Sequence, residues 1–108
     1  MNRLTSAIIL FGLSILLVQC TAKKTAKNTM TDEEVVASVK KQYTDSQMEE
    51  GKAVYQSSCG KCHALFEPES RTIHKWEKVL PRMSKRANLE TADAGKVRAY
   101  LLTHAKSS

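Results

Sequence analysis

The chain is poor in the residues that punctuate most folds. Two prolines and four glycines in 108 residues leave few turn signals. No segment shows the strict apolar–polar alternation of a half-buried strand, which argues against a sandwich or barrel. Aromatic residues are 6% of the chain, with a single Trp, so a core built only from side chains would be thin. The longest apolar run, residues 7 to 18 (AIILFGLSILLV), is well short of the roughly 20 residues that a membrane-spanning helix needs. Cysteine is also scarce: three Cys and three His barely supply a four-ligand zinc site. Lys and Arg outnumber Asp and Glu by 17 to 11. The basic residues are spread along the chain, so nucleic acid is not an expected partner.

Against that sparseness, Cys59-Gly60-Lys61-Cys62-His63 stands out as an uninterrupted C-x-x-C-H, the pattern for covalent attachment of a c-type haem. Two thiols at this spacing can add across the two vinyl groups of one haem. The adjacent imidazole then meets one face of the iron. A thioredoxin-like redox pair, half of a zinc site and a small disulfide are the other readings of C-x-x-C. A redox pair would be expected beside a βαβ pattern, and no β-rich segment flanks this one.

The N-terminus reads as an export signal. Arg3 gives a positive start, the run at residues 7–18 fits a signal-peptide core, and the run ends at Leu17-Val18-Gln19-Cys20. That ending resembles a bacterial lipobox, in which Cys20 becomes the first mature residue and carries the lipid. Gln19 departs from the small residue usual there, and an ordinary signal peptide with an incidental Cys is the alternative. With Cys20 lipidated and Cys59 and Cys62 on haem, no thiol is left over. Removing residues 1–19 leaves 89, enough for one small domain. Domains of that size often need a staple, a role that covalent haem would fill. Residues 20–30, polar and basic, read as a flexible lipid tether.

Beyond the tether the sequence predicts only helices. Thr31-Asp32-Glu33-Glu34 is a capping box that opens a short extra helix over 32–42, within a segment bounded at 31–43. Its apolar stripe is Val35, Val36, Val39 and Tyr43. A second box, Thr44-Asp45-Ser46-Gln47, opens a helix over about 45–57 that delivers Cys59 at its end. Gly51 within it would permit close approach of another helix. Thr72 is a candidate cap for a helix with Ile73, Trp76, Leu80 and Met83 on one face. Pro81 should end or kink it near Leu80, leaving Met83 just past the break. A last helix starts near Thr91, with Ala94, Val97, Leu101 and His104 as its expected buried stripe and Tyr100 alongside. The expected fold class is all-α: three to four helices wrapped around one covalently attached haem, over residues 44–108.

His63 leaves the opposite face of the iron to be filled. Met83, 20 residues on, offers a thioether, which raises the haem potential relative to bis-His ligation. A core-filling role is its structural alternative, and His74, His104, Met48 or an open site are the other candidates. Trp76 is expected against the porphyrin or donating its indole N–H to a propionate. A plain core role is the alternative.

Residues 44–108 resemble the single-haem cytochrome c family in a compact version. The resemblance rests on Gly51-Lys52-Ala53-Val54-Tyr55 leading into Cys59-x-x-Cys62-His63, on Trp76 with Met83, and on a last helix ending Tyr100-Leu101-Leu102. It implies that the first and last helices of the domain cross with Gly51 against Tyr100 or Leu101. The family's methionine ligand usually lies further from the haem motif. The Trp-to-Met arrangement is similar to short cytochrome c domains of bacterial lipoproteins and multi-domain dehydrogenases.

One-electron transfer is therefore the expected function, with haem c held by His63 and Met83. Arg71, Lys75, Lys78, Arg82, Lys85 and Arg86 would present a basic rim to an acidic redox partner; a merely solvated helix face is the alternative. The protein would be exported and held to a membrane through Cys20. Thr21, in place of the Asp that retains lipoproteins at an inner membrane, points to the outer one. The competing functions are a small-ligand (gas) binder or sensor with an open sixth site, haem catalysis such as peroxide reduction, and a fixed subunit of a larger oxidoreductase.

Overall fold

The computed structural model describes residues 30–108. The expected export signal, the expected lipidation site Cys20 and the expected tether up to residue 29 lie outside the described residues. Four helices follow one another: α1 (Asp32–Gln42), α2 (Asp45–Ser58), α3 (Ile73–Arg86) and α4 (Thr91–His104). No strand occurs among the described residues, and no helix there is long and apolar enough to cross a membrane. The fold is all-α.

Local chemistry accounts for most of the helix starts. Thr31 Oγ1 accepts from the Glu34 N–H at 3.3 Å while Glu34 Oε2 accepts from the Thr31 N–H at 2.8 Å. Thr44 and Gln47 repeat the exchange at 3.2 and 2.9 Å. Both boxes satisfy backbone donors that a helix start leaves orphaned. At α3, Thr72 Oγ1 accepts from the Lys75 N–H at 3.3 Å.

Of the two outcomes expected at Pro81, an end or a kink, the structure excludes the end: Pro81 lies inside α3, which continues to Arg86. A helix-interior proline costs about 3 kcal/mol. Against that, α3 buries Ile73, Trp76 and Leu80, exposed by only 4%, 4% and 6%. Burying each such side chain contributes about 1.5–3 kcal/mol, so packing wins and the helix continues. Its true end is a Schellman motif. The Leu89 N–H donates to Ser84 O at 3.0 Å, the Asn88 N–H donates to Lys85 O at 3.1 Å, and Asn88 takes φ 53°. The αL residue that closes this motif is usually Gly and sometimes Asn; here Asn88 supplies it.

Helix α4 is the hub, touched by α1, α2 and α3. Val97, Ala99, Leu101 and Leu102 are fully buried, a spread wider than the single predicted stripe. His104 is a correction: it is exposed, with Nδ1 2.8 Å from Tyr100 O. Gly51 does allow close approach, but its partner differs from the expected Tyr100 or Leu101. A Cβ there would run into the backbone of Lys96 and lie 2.9 Å from Val97 N. The crossing is one turn nearer the start of α4. Lys96 then pairs with Glu50 across it at 2.6 Å, and Arg98 forks onto Glu77 to join α4 to α3. Val39 of α1 is buried in the same core, with Val35, Val36 and Tyr43 packed against it.

Candidate haem-attachment site

The site begins where α2 ends. The Cys59 N–H donates to Tyr55 O, and the chain tightens into a 3₁₀ turn over Cys59–Lys61. At three residues per turn, positions i and i+3 eclipse, so the turn sets Cys59 and Cys62 on one side. Both are free thiols; Cys59 is half-buried and Cys62 exposed. His63 follows, exposed, with Nδ1 2.7 Å from Ala64 O. A carbonyl can only accept, so Nδ1 carries the proton and Nε2 keeps the lone pair that a metal needs.

The opposite wall comes from the last turn of α3. One cleft, with about 510 Å³ of empty volume including its open mouth, is lined by Ser58, Cys59, Cys62, His63, Met83, Arg86 and Ala87. Two thiols, one imidazole and one thioether from chain segments 20 residues apart thus share a cavity. Of the other residues weighed for the sixth position, none lines it. His74 is exposed beside Lys75 on a separate surface groove. His104 rests on Tyr100. Met48 is buried beneath Thr103, whose hydroxyl is 3.6 Å from its sulfur.

The donor set fits haem better than the rival chemistries. A nucleophilic redox thiol needs a depressed pKa and is commonly found at a helix N-terminus. Here burial pushes the Cys59 thiol up, and the neighbouring Cys62 raises it further. Its place after the C-terminal end of α2 adds the unfavourable end of the helix dipole. Zinc would need more ligands than converge: among the described residues, no group of three or more His, Cys, Asp and Glu could hold a metal ion. Leu65 and Phe66, just after the motif, are 38% and 45% exposed, so apolar surface is available beside the thiols.

The indole of Trp76, expected against the porphyrin or on a propionate, does not line the cleft. It is 4% exposed, donates its N–H to Pro68 O at 2.8 Å and meets Tyr55 edge-on at 6.2 Å. A donor already paired with a buried carbonyl has no second proton to offer a propionate. Two neighbours of this contact have roles that the sequence did not suggest: Tyr55 stood only in the segment leading into the motif, and Arg71 only in the basic rim. The Tyr55 hydroxyl donates to Phe66 O at 2.8 Å, and burial holds that phenol above its usual pKa. The Arg71 guanidinium lies 4.1 Å over the Phe66 ring and 5.3 Å from the Trp76 ring. No periodicity marks these contacts; the one signal was an aromatic three residues after His63.

An all-α domain with a thiol pair, an imidazole and a thioether around one cleft has the makings of a c-type cytochrome. Comparison with protein families bears this out: the family described as dihaem cytochrome c matches residues 55–108, and the chain belongs to it. Haem-based electron transfer and covalently bound haem c come with that membership. The match spans the motif, α3 and α4, and the whole chain contains a single C-x-x-C-H. Neither the curated proteins nor the solved structures gave a significant match.

Proposed function

We propose that this protein is a membrane-tethered, monohaem member of its family that passes single electrons outside the cytoplasm. The observation that carries the reading is the cleft shared by Cys59, Cys62, His63 and Met83. Cys59 and Cys62 would hold haem through thioether bonds. His63, its Nδ1 proton engaged by Ala64 O, would ligate through Nε2, and Met83 would close the other face. The haem supplies a metal that gains and loses one electron. With both faces held, the protein reorganises little and admits no substrate to the iron. One attachment motif supports one haem, where the family description names two. Tethering rests on the sequence: an apolar export core, then Cys20 as lipid carrier, with Thr21 favouring an outer membrane. The partner would be a redox protein with an acidic docking face, met by the exposed cations of α3.

The reduced protein and its Met83→Ala variant provide the test. Wild type should bind carbon monoxide slowly and, when oxidised, show a methionine–iron charge-transfer band. Met83→Ala should lose the band and bind carbon monoxide rapidly. A band that survives the substitution would remove Met83 as ligand. Rapid stoichiometric binding by wild type would instead favour a gas binder with an open site. The iron-to-protein ratio should be one; a ratio of two would overturn the monohaem reading.

A further inference from the structure

We propose that Tyr55 and Trp76 are positioning residues for His63, acting through the loop that follows it. The inference rests on the reading of His63 as the proximal ligand. Residues 64–67 have no regular secondary structure, so beyond the 3₁₀ turn that leads into His63 no helical hydrogen-bond ladder fixes the loop that flanks it. What locates the loop is a pair of ring donors from two different helices. Tyr55, on α2 one turn before Cys59, donates to Phe66 O; Trp76, on α3, donates to Pro68 O. Both bonds are 2.8 Å, and both rings are buried, at 6% and 4% exposure.

The two rings brace each other, at 6.2 Å and 89° between planes. A third hold comes from Arg71, whose guanidinium covers the Phe66 ring and reaches the Trp76 ring, the arrangement of a cation–π contact. The Phe66 ring in turn lies 5.7 Å from the His63 ring at 53°. The clamp therefore ends on the imidazole: helix donors fix the Phe66 and Pro68 carbonyls, the fixed backbone aims the Phe66 ring, and that ring flanks His63. The Nδ1 bond to Ala64 O adds a second restraint from the same loop. An imidazole held in this way keeps one orientation toward the iron, and ligand orientation and outer hydrogen bonding are levers on haem potential.

A purely structural role would lower stability and leave the iron unaffected, which sets the test. The full-length haem protein would be compared with Tyr55→Phe, with Trp76→Phe, and with Val97→Ala, a core substitution at the α2–α4 crossing. The readouts are the paramagnetically shifted His63 ring resonances of the ferric form and the reduction potential. Both loop variants should shift the resonances and the potential, and Val97→Ala should lose thermal stability while moving neither. If Trp76→Phe does not accumulate, Tyr55→Phe decides alone. Wild-type resonances and potential in Tyr55→Phe would overturn the proposal, as would an equal shift in Val97→Ala. A wild-type protein with no iron-shifted histidine resonances at all would defeat the ligand reading instead, a separate failure.

Discussion

Gly51 is the residue on which the α2–α4 crossing depends. Alanine at this site has two opposed effects. Helix propensity favours it by about 1 kcal/mol, whereas its Cβ would strike the Lys96 backbone, which cannot swing aside as a side chain can. Overpacking a tight contact costs typically 1–3 kcal/mol, and a backbone obstacle belongs at the upper end. Gly51→Ala should therefore destabilise the domain by about 1–2 kcal/mol net, read as a lower denaturant midpoint at unchanged slope. A midpoint equal to or above wild type would mean that the helices separate without cost. Trp76 shows where residue-level reading stops. An isolated indole near a haem motif has several plausible partners, and a carbonyl eight positions back in an irregular loop leaves no periodic trace. Cys59, Cys62 and His63 were legible because their spacing is itself the chemistry.

At the scale of elements, the bounds of α1 and α2 were legible to within a residue, and the end of α3 was not. The boxes at Thr31 and Thr44 are local exchanges between residues three apart, so the sequence contains all of their physics. The end of α3 does not work that way. Pro81 is a strong local breaker, yet the buried Ile73–Trp76–Leu80 face outweighs it, and only tertiary packing reveals that balance. Asn88 was the available clue, since a residue tolerant of positive φ suits the motif that closes the helix. Likewise, a single stripe misread α4 because three helices surround it. Pro81 also lies two residues before Met83 and is solvent-exposed, so replacing it removes little packing. Pro81→Ala should restore a donor to Glu77 O and raise stability by about 1–3 kcal/mol. Prolines are the commonest cause of helix kinks, so the same change should shift the turn that presents Met83. The expected result is a more stable protein whose reduced form binds carbon monoxide faster than wild type. Greater stability with unchanged binding would show that Met83 is set by packing alone.

At the scale of the molecule, charge is unevenly placed on α3. Lys75, Lys78, Arg82 and Lys85 recur at three- and four-residue steps, on the face opposite Ile73, Trp76 and Leu80, and all four are exposed. Glu77, the acid among them, is turned toward Arg98. Among the described residues, the ion pairs are made by Lys52, Lys96 and Arg98 and none by this row. The row runs along one helix toward Arg86 at the cleft, so its field extends from the site where electrons would leave. Exposed charges of this kind add little stability and act mainly on encounter rate. Reversing two of them, in Lys75→Glu with Lys78→Glu, should slow electron exchange with an acidic partner at low salt, where the Debye length is about 30 Å at 0.01 M. The wild-type and variant rates should converge as ionic strength rises toward 1 M, where screening shortens to about 3 Å. The reduction potential and thermal midpoint should stay close to wild type, which separates steering from damage to the site. Identical rates for the two proteins across the whole salt titration would mean that the α3 cations are an ordinary solvated face, and that the partner docks elsewhere.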